Sequence, residues 1–148
     1  MFQESSKVFV HIIFSTWHCR TFIREAVRKR LEPCIVDILS GVSSYTEELY
    51  AHPDHLHVLC TLPPDFSPEQ LISRVKTDST LWLRESGLKS FSWQDGYAAF
   101  SVSPLKVGAV IKYLYNQPRH HQKLSWKDEM RMFYEFYQMD YDERYVWD

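Results

Sequence analysis

Between Ala51 and Leu62 the chain reads Ala51-His52-Pro53-Asp54-His55-Leu56-His57-Val58-Leu59-Cys60-Thr61-Leu62, and its apolar residues recur every second position. Side chains two apart on an extended strand share a face. Leu56, Val58, Cys60 and Leu62 therefore form an apolar face that must be buried, and His55 and His57 stand together on the other. Two adjacent imidazoles can hold one divalent metal. Histidines at this spacing are common as partly exposed strand residues. Chemistry here therefore needs a third ligand and a reacting group elsewhere in the chain.

The flanking sequence predicts the rest of the sheet. Lys7 to Thr16 is apolar and β-branched on both faces, as in a central strand. His11 within it reads as a core histidine with a hydrogen-bond partner. Phe22 to Leu39 has helical periodicity, with a kink or break expected at Pro33 and an end at Gly41. Ser43 to Tyr50 is a strand, turned by Pro53-Asp54 into an antiparallel neighbour over His55 to Leu62. Ser67-Pro68-Glu69-Gln70 is a helix start with a capping box. Leu71, Ile72, Val75, Leu81 and Leu83 make that helix's inner face, Lys76 lies on its more polar side, and Gly87 closes it. Ala98 to Ser103 is a short strand. A helix follows from Ser103-Pro104 to about Gln117, where Pro118 should stop it. A last amphipathic helix covers about Ser125 to Gln138. The order β-α-β-β-α-β predicts an α+β, ferredoxin-like (RRM-like) antiparallel sheet with helices on one face and an appended tyrosine-bearing helix. The 148 residues suit a single domain, 1–148, with no linker or repeat.

Composition excludes several classes. With 45% hydrophobic residues and no low-complexity run the chain is globular. No apolar run approaches a membrane span, and the first residues lack the basic and apolar regions of a signal peptide. The odd count of three cysteines, Cys19, Cys34 and Cys60, and the missing signal point to a reducing cytoplasm, and the lack of a Cys-x-x-Cys pair argues against a structural zinc site. Net charge is −2, but its distribution is uneven. Arg20, Arg24, Arg28, Lys29 and Arg30 cluster near the front, and acidic residues dominate the tail. Aromatic residues are 16% of the chain, enough to fill a core and leave some for stacking on unpaired bases.

A second group of polar residues lies on the helix Leu105 to Gln117. Val107, Val110, Ile111 and Leu114 form its core stripe, and Tyr113 and Gln117, four apart, share a neighbouring one. Joined to the histidine pair, Gln117 can be a third metal ligand and Tyr113 a nucleophile. A phenol with a pKa near 10 attacks poorly at neutral pH. A divalent metal, Mg²⁺ or Mn²⁺, on a scissile phosphate would stabilise the developing charge. Attack would leave a tyrosyl 5′-phosphate and a free 3′-hydroxyl, conserving the bond energy for rejoining.

Three stretches in this order carry a resemblance: Pro53-Asp54-His55-Leu56-His57-Val58-Leu59, Trp93-Gln94-Asp95-Gly96-Tyr97-Ala98-Ala99-Phe100-Ser101-Val102-Ser103 and Tyr113-Leu114-Tyr115-Asn116-Gln117-Pro118-Arg119-His120-His121. Together they resemble the HUH single-tyrosine transposases of single-strand insertion sequences and their REP-associated relatives. The resemblance implies His55 and His57 as the metal pair, Gln117 as third ligand, and Tyr113 rather than Tyr115 as nucleophile. It implies hairpin-bearing single-stranded DNA as partner and a homodimer in which one subunit's tyrosine helix completes its partner's histidine pair. Arg20, Arg24, Arg28 and Lys76 are the candidates for phosphate contacts. His120 and His121 match the motif and could supplement the metal site or cap the helix. The competing reading is a non-catalytic ferredoxin-like nucleic-acid binder, which predicts aromatic residues on an open sheet face.

Overall fold

The computed structural model of the protein describes residues 5–120 and 124–148; His121 lies outside the described residues, and the side chain of His120 is not described. Four antiparallel strands, β1 (Phe9–Ser15), β2 (Thr46–Ala51), β3 (His55–Thr61) and β4 (Ala98–Val102), stand in the order β2-β3-β1-β4. This is the ferredoxin-like order the sequence predicts. β1 is central and buried along its whole length, as its doubly apolar sequence requires.

The even-numbered residues of β1 and β3 (Val10, Ile12, Phe14, Leu56, Val58, Cys60) face α1 (Glu25–Gly41) and α2 (Pro68–Glu85) and form the main core with Leu31, Ile35, Leu39, Leu71, Ile72 and Val75. Ser67 caps α2 with the predicted capping box. Pro33 does not break α1, which runs unbroken through it. Leu31 and Ile35, buried on either side of the proline, anchor the helix well enough to outweigh one lost helical hydrogen bond. Leu81, expected on the inner face of α2, is 59% exposed. Ser79 takes the inward place, because its hydroxyl accepts from Trp93 Nε1 at 3.0 Å.

The other sheet face is not open. α3 (Val107–Tyr115) covers one end of it, where Leu114 meets Phe9, Leu59 and Val102. α5 (Trp126–Phe136) covers the other, where Trp126, Met130 and Tyr134 meet Ile13, Ala98 and Phe100. Between these two apolar patches lies a band of polar side chains. Pro118 does not stop the tyrosine helix. α3 ends at Tyr115, and Pro118 sits in the first turn of the short α4 (Gln117–His120), where its missing N–H is not needed.

The Trp93-Gln94-Asp95-Gly96 stretch ties the end of β1 to the tail. Gln94 Oε1 accepts from the Ser15 backbone at 2.6 Å, and its Nε2 donates to the Asp148 carbonyl at 2.9 Å. That carbonyl also accepts from Gly96 N at 2.8 Å, so close that a Cβ at Gly96 would stand 3.0 Å from it. Replacing Gln94 with Leu leaves a strand-end N–H and a tail carbonyl without this partner. The expected loss is about 1–3 kcal/mol of unfolding free energy, read by urea denaturation.

Candidate metal and tyrosine site

The polar band begins on β1. His11 Nε2 pairs with His57 Nδ1 at 2.9 Å, so His11 is a buried histidine with a hydrogen-bond partner, as its place in an apolar strand predicts. The two belong to diagonal positions, since His11 stands opposite Leu59 and His57 opposite Ile13. Burial, and then the neighbouring His57, hold the His11 pKa well below the usual imidazole range, so His11 is neutral. One step along β3, Asp54 Oδ1 holds His55 Nδ1 at 2.6 Å. Each pairing fixes a ring through its Nδ1 and turns its Nε2 toward the space under α5.

Both Nε2 atoms approach the same carboxylate oxygen. Glu129 Oε1 lies 2.8 Å from His57 Nε2 and 3.8 Å from His55 Nε2. The other oxygen, Oε2, accepts from the Tyr113 hydroxyl and, at 3.1 Å, from Gln117 Nε2. Gln117 Oε1 in turn pairs with His52 Nε2 at 2.9 Å, and the His52 ring stacks on His55 at 4.3 Å. His52, His55, His57, Gln117 and Glu129 are all buried. Burial first, and then the Glu129 carboxylate, push the Tyr113 phenol well above its ordinary pKa, so its proton must be taken up as it reacts.

Sequence reasoning named four of these residues, and the structure brings all four together: His55, His57, Tyr113 and Gln117 converge on one carboxylate within a single chain. The two tyrosines are placed differently. Tyr115 is 78% exposed and points away, whereas Tyr113 reaches the histidine band. Two residues were missed. His52 is folded back over His55 by the Pro53-Asp54 turn, with its N–H donating to the His55 carbonyl at 2.7 Å. Glu129 had a legible signal, since it is an acid in the inward stripe Trp126, Met130, Tyr134 of an amphipathic helix.

The four basic candidates fare differently. Arg20 is exposed and lies over the Trp17 ring, and Arg24 is exposed at the start of α1. Arg28 is engaged by Glu25 and Glu32. Lys76 does not lie in solvent on a polar side. Its ammonium donates to the carbonyls of Gln94, Asp95 and Gly96 at 2.8, 3.3 and 2.7 Å. Two of the four are thus committed to holding the fold.

A divalent ion fits the residues present. One nitrogen from each of His52, His55 and His57 lies within 4.8 Å of the others, and all three are buried. Imidazoles oriented from behind by Asp54 and His11 are the donor set such ions take.

The sequence profile described as "Transposase IS200 like" matches residues 4–117. The chain belongs to the IS200-like transposase family. Among solved structures it is similar to a Deinococcus radiodurans protein provisionally assigned as a transposase, with a TM-score of 0.64, 18% identity, 79% of this chain covered and 95% of that one. It is also similar to a REP-associated tyrosine transposase bound to a REP hairpin, with a TM-score of 0.62, 18% identity and coverage of 82% and 73%. No curated protein matches it. For this IS200-like chain the fold is thus shared with transposases. No described helix is long and apolar enough to cross a membrane.

The role of Lys76 is testable. Lys76→Met should lower stability by about 1–3 kcal/mol through its three lost carbonyl contacts. Burial pushes the Lys76 pKa down to about 8, while an unfolded lysine titrates near 10.4. Above pH 8 the unfolded chain then binds the extra proton, so the wild type should gain on the variant as pH rises from about 8 toward 10. Denaturant titrations of both proteins across that range read the difference.

Proposed function

We propose that this IS200-like transposase cuts and rejoins single-stranded DNA at hairpin-bearing ends, with Tyr113 as nucleophile. The observation that carries the reading is the meeting of the Tyr113 hydroxyl and the His57 imidazole on one buried carboxylate. The Tyr113 oxygen attacks the scissile phosphorus, a phosphorus–oxygen bond to Tyr113 forms, and the bond to the sugar 3′ oxygen breaks. The 3′ oxygen leaves with the electron pair and takes a proton from water to become the 3′-hydroxyl, and the phenolic proton passes to Glu129 Oε2, which already accepts its hydrogen bond. His55 and His57, with His52 and Gln117 beside them, are the residues that would hold the divalent ion, Mg²⁺ or Mn²⁺. When bound, that ion takes up charge on the phosphate. Rejoining reverses the same step with a new 3′-hydroxyl. The enzyme would act on chromosomal DNA in the cytoplasm.

Of the four basic candidates, Arg20 and Arg24 are the two left exposed for phosphate contacts, and Trp17, 43% exposed beneath Arg20, offers a ring for an unpaired base. A purely binding ferredoxin-like domain would need its sheet face open, and here α3 and α5 occupy it. The homodimer implied by resemblance would hold two DNA ends, each at a site complete within its own chain.

Three measurements test this reading. Tyr113→Phe should form no covalent protein–DNA adduct on a denaturing gel, whereas Tyr115→Phe should form it at the wild-type level. His57→Ala should lose cleavage and keep hairpin binding in a mobility-shift assay. Mixing His57→Ala with Tyr113→Phe separates the two arrangements of the site. A site built within one chain predicts no recovered cleavage, while a site shared between subunits predicts recovery in the mixed dimer.

A further inference from the structure

We infer that Glu129 is itself a metal ligand, supplied by α5 from outside the segment that carries the family match. The inference rests on the reading of His55 and His57 as a metal pair and adds an anionic ligand to it. The family match ends at Gln117, and Glu129 lies twelve positions further on.

Three observations converge. First, position: the two imidazole nitrogens that the strand presents both approach one atom, Glu129 Oε1, at 2.8 and 3.8 Å. Ligands about 2.1 Å from one ion and at right angles to each other stand about 3 Å apart. The His57–Glu129 separation is close to that value, and a modest approach of His55 from 3.8 Å brings the trio onto one centre. Second, orientation: His57 Nδ1 and His55 Nδ1 are occupied by His11 and Asp54, so each ring's Nε2 is the nitrogen turned to Glu129. An ion there would take the place of the hydrogen bond now made between His57 Nε2 and the carboxylate. Third, burial: the Glu129 carboxylate is 0% exposed. An anion withdrawn from water calls for compensating charge, which a divalent ion held by uncharged imidazoles supplies.

The two carboxylate oxygens divide the work. Oε1 faces the histidines and Oε2 faces Tyr113 and Gln117. Glu129 thereby sets how far the nucleophile stands from the ion. A carboxylate beside two imidazoles also selects borderline cations such as Mn²⁺ over the purely oxygen-seeking Mg²⁺.

The experiment titrates Mn²⁺ into the full chain and follows loss of the free-ion signal by electron paramagnetic resonance. Wild type, Glu129→Gln, Glu129→Asp, His57→Ala and Tyr113→Phe are compared. If Glu129 is a ligand, Glu129→Gln weakens Mn²⁺ binding by about 10–100-fold or more. Glu129→Asp, which keeps the charge, recovers part of that loss, and Tyr113→Phe binds as wild type does. In thermal melts, Mn²⁺ raises the midpoint of wild type and not that of Glu129→Gln, while both melt cooperatively without metal. Glu129→Gln binding as tightly as wild type, or more tightly, while His57→Ala has lost binding, overturns the assignment of Glu129 and leaves the histidine site standing. Wild type and His57→Ala binding equally poorly overturns both.

Discussion

A carboxylate buried beneath a helix dictates much of the arrangement around it. Glu129 has no water to face, so its oxygens must be met by groups held at fixed directions. One oxygen is met from the sheet by His57, the other from α3 and α4 by Tyr113 and Gln117. Those groups are themselves fixed from behind. His11 sets His57, Asp54 sets His55, and His52 sets Gln117. The apolar patches at either end of the face, around Leu114 and around Met130, hold the two covering helices in place. Without them the band would be open to solvent and the pairings would weaken into ordinary surface contacts.

The sheet was largely legible from sequence because its signals are local. Alternation over Leu56, Val58 and Cys60 separated the two faces of β3, and the doubly apolar run before Thr16 marked the central strand. The capping box at Ser67 placed the start of α2 to the residue. The failures were places where a local rule met a tertiary one. Pro33 should interrupt a helix, but the buried leucine and isoleucine around it anchor the turns on both sides. Leu81 is apolar yet exposed, because a hydroxyl at Ser79 was needed inside to meet the Trp93 indole. Lys76, on the more polar side of its helix, was a candidate phosphate contact, and three loop carbonyls engage its ammonium.

The site was legible in outline and incomplete in detail for the same reason. His55, His57, Tyr113 and Gln117 sit at spacings that declare a shared face on a strand or a helix. Glu129 lies 72 positions from His57, and no periodicity connects them. Its one local mark is an acid inside an apolar stripe, and such a mark gains meaning only when the stripe is seen to cover the histidines. The stretches that carry the resemblance end at His121 and the family match ends at Gln117, so both pointed to the strand and the tyrosine helix and not to the helix that closes over them.

That closing helix comes late in the chain, and the lateness matters during synthesis. The strands of the sheet and both helices of the main core leave the ribosome before any residue of α5 does. A nascent chain folding from its N-terminus would therefore build its sheet with the histidine face still bare, exposing Ile13 and Phe100 together with the polar band. The carboxylate that joins His57, Tyr113 and Gln117 then arrives with the first turn of α5, in the same movement that covers the bare face.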